Sequence, residues 1–174
     1  MNRHPGGDGH TRRLLELAAL PEGARILDMG AGGGEAVWLM REAGFRAVGM
    51  DLEPRSELVA EGDFLHTGFA DASFDGVLSQ CAFFISGDPA GAVREAHRLL
   101  KPSGVLMLSD VFFDGPALPG FRIRQEEDLT ALWREYYLEM LWKEDTDCAC
   151  FPRGKCRYLS IVAVKEEENH NGSA

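Results

Sequence analysis

Cysteine is scarce in this sequence, and its spacing gives no regular framework. Four cysteines occur in 174 residues, too few and too unevenly placed for a secreted disulfide scaffold. The chain also lacks any run of roughly 18 apolar residues, which excludes a membrane-spanning helix. Residues 1–7 lack the apolar core of a signal peptide. These absences predict a cytoplasmic protein with reduced cysteines and no membrane partner.

Basic residues are outnumbered by acidic ones. Lys and Arg total 18 against 28 Asp and Glu, a formal net charge of −10. An acidic protein repels phosphate backbones, so a general nucleic-acid-binding role is disfavoured. Apolar residues nevertheless make up 45% of the chain, enough for a folded core. The composition predicts an ordered acidic domain and leaves its oligomeric state open.

Hydrophobic periodicity divides the chain into alternating helices and strands. Predicted helices cover 11–20, with Thr11 as the N-cap, then 34–43, 89–100 and 126–142. Predicted strands cover 24–29, 46–50, 57–61, 74–79, 105–113, 121–124 and 158–164. The strand, glycine turn, helix and strand within 24–51 form a βαβ unit, which builds a parallel sheet. We expect one domain over 1–165, with an N-terminal arm at 1–10 and a disordered tail at 166–174.

A glycine-rich turn follows the first predicted strand. Gly30 and Gly32 let the backbone approach a ligand without a Cβ in the way, and the helix behind them directs free N–H groups at the same place. A dinucleotide fingerprint needs its third glycine where Glu35 stands, and an acidic residue there would repel a pyrophosphate. Asp51 ends the next strand at about the 20-residue separation expected of a ribose-binding acid. These features favour a nucleoside with an amino-acid moiety over a nicotinamide dinucleotide.

Four motifs occur in the order found in the class I S-adenosylmethionine (SAM) dependent methyltransferases. They are ILDMGAGGG at 26–34, GMDL at 49–52, GDF with FADASFD within 62–75, and EAHRLLKPSG at 95–104. The sequence most resembles the menaquinone and ubiquinone biosynthesis-like group of that family. Its PGG segment at 5–7 is similar to the opening of small bacterial members.

The resemblance implies a three-layer α/β sandwich around a mostly parallel, seven-stranded, Rossmann-like sheet. It implies an enzyme that transfers the methyl group of SAM to an acceptor and releases S-adenosylhomocysteine (SAH). The acceptor is expected to be a small molecule, because the Asn-Pro-Pro-Tyr segment of amide and base N-methylating families is absent.

The same resemblance assigns cofactor-binding residues and leaves the catalytic residue open. Asp28, Gly30, Gly32 and Gly34 would line the methionine end of SAM. Asp51 would hold the ribose, with Leu52 against the adenine. Asp63 and Phe64 would border the adenine, and Gln80 would lie near the transferred methyl. No metal ligand is assigned.

The spacing departs from the family at two places. Between Asp51 and Asp63 there is no room for the usual helix, so we expect 57–61 to form a strand alone. The usual long insert after the fifth strand is absent, and one helix lies instead between the last two strands. Both losses thin the wall of the site. They motivate a second hypothesis, a SAM-binding module or regulatory subunit without catalysis.

Cysteines near the C-terminus motivate a third hypothesis. Cys148, Cys150 and Cys156 are close enough in sequence for thiolates to bind a soft metal or metalloid. Cys81 could join them, although the spacing fits no zinc pattern. A thiol-assisted metalloid methyltransferase is the alternative to a reduced loop with incidental cysteines.

Aromatic residues in the last predicted helix, and the histidines, receive structural interpretations. Apolar residues at helical spacing in that helix predict core packing rather than an acceptor pocket: Trp133, Tyr136, Tyr137, Met140 and Leu141. The histidines are expected at the surface or at helix ends, although His10 could reach the site from the N-terminal arm.

Overall fold

One seven-stranded sheet organises the part of the chain that the computed structural model describes, residues 4–142 and 155–167. The helices are α1 (Gly7–Ala18), α2 (Glu35–Glu42), α3 (Pro89–Leu99) and α4 (Thr130–Trp142). The strands are β1 (Arg25–Met29), β2 (Arg46–Asp51), β3 (Val59–Glu61), β4 (Phe74–Gln80), β5 (Leu100–Phe112), β6 (Phe121–Asp128) and β7 (Arg157–Lys165). A short 3-10 helix, Phe84–Ser86, follows β4.

The strand order is β3-β2-β1-β4-β5-β7-β6. Strands β1 to β5 pair in parallel, whereas β7 pairs antiparallel with both β5 and β6. This confirms the predicted mostly parallel sheet. The chain winds outward in one direction from β1 and in the other from β4. In such sheets the carboxyl ends of the two central strands form a crevice where ligands bind.

Helices cover both faces of the sheet, because neighbouring side chains along a strand point to opposite faces. Ile26 of β1 packs in one core with Leu14 of α1 and Val37 of α2. Leu27, the next residue, packs in a second core with Val93 of α3. The predicted three-layer sandwich is therefore confirmed.

The departures predicted from spacing also occur. The chain between β2 and β3 forms turns and loop without a helix, and β3 is only three residues long. Helix α4 lies between β6 and β7. The layers around the carboxyl edge of the sheet are correspondingly thin.

The N-terminal prediction was wrong in its boundaries. Helix α1 begins at Gly7, so the arm predicted for 1–10 ends at Gly6, the N-cap in a left-handed conformation with φ 78°. Asp8 lies in the first turn, where a carboxylate complements the helix dipole. Thr11, the predicted N-cap, lies inside the helix, and both Thr11 and His10 are buried. Their contacts with β4 and β5, given below, hold this first turn in place.

Two further boundaries differ because strand pairing overrides local propensity. The predicted helix at 126–142 begins only at Thr130, since β6 continues to Asp128 and pairs with β7. Strand β5 begins at Leu100 instead of 105. Residues 101–104, which connect the predicted helix at 89–100 to the predicted strand at 105–113, form an irregular stretch of β5, because Phe74 pairs with Leu100 while Gly76 pairs with Val105.

Some predictions fall outside the described residues. These are the predicted contributions of Cys148 and Cys150 and most of the tail predicted to be disordered, at 168–174. Within the described ranges, no helix combines the length and the apolar character that crossing a bilayer requires.

Candidate functional site

A cleft of about 490 Å³ opens at the carboxyl ends of β1, β4 and β5. Its volume suits a small organic ligand, and its position is the crevice expected from the strand order. Two differently built sides face each other across it. The glycine side consists of lining residues within 28–36 and 51–65, and the aromatic side of lining residues within 4–5, 80–86, 110–111 and 133–140.

The glycine turn is fixed by backbone hydrogen bonds to β2. The N–H groups of Gly30 and Ala31 donate to the carbonyl oxygen of Met50 at 2.9 and 3.1 Å. Gly30 has φ 86°, and a Cβ there would overlap the Cβ of Ala82. Only glycine fits this close approach, so the backbone borders the cleft with no side chain between.

Asp51 links the glycine turn to the end of β2. Its Oδ2 accepts a hydrogen bond from the Gly32 N–H at 2.8 Å, and its Oδ1 accepts one from the Glu53 N–H at 2.9 Å. The carboxylate is only partly buried and lines the cleft. Because a carboxylate can accept about four hydrogen bonds, it has capacity left for the hydroxyls of a ligand.

Asp28 is a buried carboxyl group at the bottom of the glycine side. Its exposed fraction is 3%, it borders the cleft, and none of the described residues donates a hydrogen bond to it. Burial raises its pKa to about 7, with further contributions from Asp51 and Glu35. A buried carboxylate without a partner is unfavourable, so a cationic ligand group at this position would relieve it.

The outer end of the glycine side combines an acid with apolar surfaces. Asp63 accepts hydrogen bonds from the Leu65 N–H at 2.8 Å and from His66 at 3.1 Å, and these lower its pKa. Phe64 is buried, with its ring centroid 5.9 Å from that of Phe83. Leu52 is 64% exposed. This end could bind a flat heterocycle between apolar contacts.

The structure brings together all but one of the predicted cofactor-binding residues. The cleft is bordered by Asp28, Gly30, Gly32, Asp51, Leu52, Asp63, Phe64 and Gln80. Gly34 lies apart, as the N-cap of α2, where a Cβ would press on Ser56, Leu58 and Val59. Its neighbour Gly33 borders the cleft instead.

A chain of polar contacts forms the floor of the aromatic side. Thr11 donates to Gln80 Oε1 at 3.0 Å, and Gln80 Nε2 lies 3.4 Å from Nδ1 of His4. His10 Nε2 lies 2.8 Å from Ser109 Oγ on β5. Burial, with a smaller contribution from the neighbouring His4, lowers the pKa of His10 to about 4. Helix α1 thus holds the side chain of Gln80, which lines the cleft, through Thr11.

Cys81 follows Gln80 with a strained backbone, φ 59°. Its Sγ lies 3.2 Å from the hydroxyl of Tyr158, which also donates to the Ser109 carbonyl at 3.4 Å. Tyr158 is completely buried, and burial raises its pKa. Cys156 is buried in the same cluster with Tyr158 and Trp133, against which Cys81 packs.

The prediction that the apolar residues of α4 pack in the core is confirmed in part: Trp133 and Met140 are buried, whereas Tyr136 and Tyr137 are half-buried. Trp133, Tyr136, Tyr137 and Met140 all border the cleft; the side chain of Leu141 is not among those described. Trp133 stacks on Tyr158 with ring centroids 6.1 Å apart and planes 4° from parallel. That contact anchors α4 on β7 and holds the adjoining face of the helix against the cleft. Helical spacing alone cannot separate a buried face from a face that lines a cavity.

Asp110 was missed by sequence reasoning. It lies at the carboxyl end of β5 and is 3% exposed. Its Oδ2 accepts from the Phe84 N–H at 3.0 Å and its Oδ1 from its neighbour Val111 at 2.8 Å. Burial raises its pKa to about 6. The signal that identified Asp51, an acid ending an apolar strand, was present here too.

Metal-binding groups do not gather within the described ranges. No cluster of three or more His, Cys, Asp or Glu side chains suited to an ion occurs there.

Sequence comparison links the chain to methyltransferases. The family described as "Methyltransferase domain" matches residues 27–108. An arsenite methyltransferase of Aquipseudomonas alcaligenes is 31% identical over 125 residues, covering 58% of this chain and 36% of the relative. A demethylmenaquinone methyltransferase of Corynebacterium urealyticum is 30% identical over 139 residues, covering 75% of this chain and 55% of the relative. The chain thus spans about a third to a half of the length of these relatives.

Structural comparison gives the same fold. Phosphoethanolamine N-methyltransferase 2 of Haemonchus contortus, solved with SAM, superposes with a TM-score of 0.70 at 20% identity. The match covers 94% of this chain and 54% of that one.

Proposed function

The chain belongs to the class I SAM-dependent methyltransferases of the quinone-biosynthesis-like type, and from that premise we propose that it methylates a small-molecule acceptor. SAM binds on the glycine side of the cleft and the acceptor on the aromatic side. The observation that carries this proposal is the carboxyl group of Asp28, which is buried, borders the cleft and accepts no hydrogen bond from any described residue, beside a turn that only glycine can form.

The glycine side fits the three parts of SAM. The ammonium group of the methionine moiety would approach Asp28, whose burial without a partner favours a cation. The ribose hydroxyls would donate to Asp51, already held by the Gly32 N–H. The adenine would lie between Leu52 and Phe64, with Asp63 at its edge.

SAM supplies an activated methyl group on a sulfonium sulfur, so the protein need not provide a nucleophile. What the protein provides is alignment of the acceptor and exclusion of water. Gln80 lies where the two sides meet and is fixed by Thr11. The rings of Trp133, Tyr136 and Tyr137 on α4 line the same cleft.

Calorimetry with SAM and SAH tests binding, and transfer of a labelled methyl group to a panel of small acceptors tests catalysis. Asp51→Ala is expected to lower the affinity for SAH at least about tenfold. The hydrogen bonds to both ribose hydroxyls are lost, and so is the hydrogen bond that holds the Gly32 N–H. Asp88→Ala is the matched control, since Asp88 caps α3 away from the cleft. The proposal fails if the chain binds neither SAM nor SAH, or if both variants weaken SAH equally.

A SAM-binding module without catalysis remains the alternative when binding occurs without turnover. The thin wall between β2 and β3 favours it. It predicts micromolar SAH binding together with no labelled product from any acceptor.

Metalloid methylation is a second candidate, favoured by one observation. Cys81 and Cys156 belong to one cluster beside the cleft, and the Aquipseudomonas relative is named for arsenite. This candidate predicts methylated arsenic products from arsenite that disappear in Cys81→Ser or Cys156→Ser. Unchanged activity on arsenite in both variants, or no activity in the unmodified protein, excludes it.

A further inference from the structure

Four aromatic rings border the aromatic side of the cleft. They belong to Phe84, Trp133, Tyr136 and Tyr137. Two of the four are braced by other rings: Trp133 stacks on Tyr158, and Phe84 lies 5.8 Å from Phe113. The wall is therefore partly preorganised and presents π faces or edges to whatever enters.

Formal charge on this side comes from a single group. Among the described residues that line it, Asp110 is the only Asp, Glu, Lys or Arg. His4, which also lines this side, is kept neutral, because burial lowers the pKa of that imidazole. On the glycine side, five carboxyl groups face one cation, Arg55. An anionic acceptor would find no counter-ion among the described residues of the aromatic side. It would also be repelled by the negative charge of the glycine side.

Asp110 is held in place as a fixed acceptor. The N–H groups of Phe84 and Val111 each donate to a different oxygen of its carboxylate. Two backbone donors leave lone pairs on both oxygens. They also offset part of the cost of burial, so the group is ionised at pH 7.5 despite its raised pKa of about 6.

We propose that the acceptor is a small amine that binds as a cation, with Asp110 as its counter-ion and the rings of Trp133 and Tyr137 against its apolar faces. This inference rests on the proposed methyl transfer and names its substrate class. Asp110 is a binding and positioning residue for the amine.

Electrostatics explains why such a pocket suits an amine. The reacting nitrogen must come beside the positive sulfonium of the donor, and two like charges at contact distance repel strongly in a partly dry site. A fixed carboxylate lowers that repulsion. Aromatic faces attract organic cations further, most strongly when water is excluded.

The transfer step balances without another reactant. The bound ammonium gives one proton to solvent, and the lone pair of the neutral amine forms the N–C bond to the donor methyl. The C–S bond breaks and its electron pair passes to sulfur, which becomes a neutral thioether. The positive charge ends on the methylated nitrogen.

Binding to the SAH complex isolates recognition from catalysis. The probes are tetramethylammonium, phenethyltrimethylammonium and the neutral isostere of the latter, 3,3-dimethylbutylbenzene. We expect the phenethyl cation to bind at least about tenfold more tightly than its isostere, because a close charge partner is available. Equal affinity, or no binding of either cation below millimolar concentration, overturns the inference.

Two variants separate a specific counter-ion from the general field. Asp110→Asn is expected to weaken the cation about tenfold or more, with the affinity of SAH and of the neutral isostere unchanged. Glu53→Gln removes one charge from the glycine side of the same cleft and should change the cation affinity less than about twofold. Equal losses in the two variants overturn the role of Asp110. If Asp110→Asn does not fold, the comparison of cation and isostere in the unmodified protein still decides.

Labelled-methyl transfer distinguishes failure of this inference from failure of the proposed function. The acceptors share one carbon frame: 2-phenylethylamine, 2-phenylethanol and 3-phenylpropionate. Methylation of the amine alone supports the inference. Methylation of the alcohol or carboxylate in preference to the amine overturns it while leaving the proposed function intact. Absence of SAH binding overturns the proposed function itself.

Discussion

The two sides of the cleft are assembled in different ways. The glycine side comes from one stretch of chain, between β1 and the loop after β3, and its glycine turn is tied to β2 by hydrogen bonds to Met50 and Asp51. The aromatic side joins the N-terminus, the loop after β4, the end of β5 and helix α4. The first is a local motif; the second exists only after tertiary folding. A family can therefore keep one donor site while its acceptor site changes.

The two sides touch where Gly30 meets Ala82, and that contact offers the largest expected effect. A Cβ at position 30 would overlap Ala82 and would also adopt an unfavourable positive φ. Gly30→Ala is expected to lower the free energy of unfolding by about 2–5 kcal/mol. It should also weaken SAH at least about tenfold, since the backbone can no longer approach the ligand. Chemical denaturation and calorimetry measure the two effects.

Two controls separate strain from overlap. Gly23→Ala has a similar positive φ of 76° but open space around the added atom, so it should lose only about 1–2 kcal/mol and leave SAH binding unchanged. Gly30→Ala combined with Ala82→Gly removes the overlap and should recover part of the loss. A double variant no better than Gly30→Ala would show that the two sides are not coupled at this contact.

The glycine side was predictable because its determinants are local. The turn, its acids and the strand before it lie within a short stretch, so Gly30 and Asp51 could be assigned from spacing and Asp28 from the family resemblance of that stretch. Gly34 was assigned with them, yet it is the N-cap of α2 and packs against Ser56, Leu58 and Val59. In a sequence, a glycine needed for the close approach of a ligand cannot be distinguished from one needed for the close approach of a side chain.

Apart from Gln80, which the family resemblance assigned, the aromatic side was not predictable because its members depend on distant partners. Trp133 lines the cleft because it stacks on Tyr158, and His10 is buried because Ser109 faces it. The same dependence on distant partners explains why the boundaries of α1 and β6 differ from the predicted ones. Sequence periodicity gives the elements and their order, whereas the faces that they turn toward one another follow from the packed sheet.

The second-largest expected effect on stability comes from Asp28 and concerns the glycine side alone. Its folded pKa of about 7 exceeds its ordinary value of 3.8, so the folded chain keeps a proton that the unfolded chain has already released. Raising the pH from 4 to 7 therefore lowers the free energy of unfolding, by up to about 4 kcal/mol. Asp28→Asn should remove this decline and be the more stable protein at pH 8, while SAH binds at least about tenfold more weakly.

Glu95, a carboxylate paired with Arg98, is expected to give the opposite dependence of stability on pH. Hydrogen bonds from Arg98 lower the pKa of Glu95 to about 2, so its contribution is present at neutral pH and is lost as the pH falls from 4.5 to 2. Glu95→Gln should therefore lower the free energy of unfolding at pH 7 and leave the affinity for SAH unchanged. If Asp28→Asn also destabilises at pH 8, Asp28 has a partner in solution and its proposed role toward a cation is wrong.

His10 gives the smallest of the three effects and concerns the floor of the aromatic side. Its pKa of about 4 lies below the ordinary 6.5 because the imidazole is buried. As the pH falls from 6.5 to 4, the unfolded chain takes up a proton that the folded chain does not, and the free energy of unfolding falls by about 3 kcal/mol. His10→Gln keeps a hydrogen-bonding group near Ser109 without a titrating ring, so denaturation curves should lose this pH dependence. SAH affinity at pH 8 should stay within about twofold, because no atom of the glycine side depends on His10. A large loss of SAH affinity in this variant would show that the floor supports both sides and that the division between them is not functional.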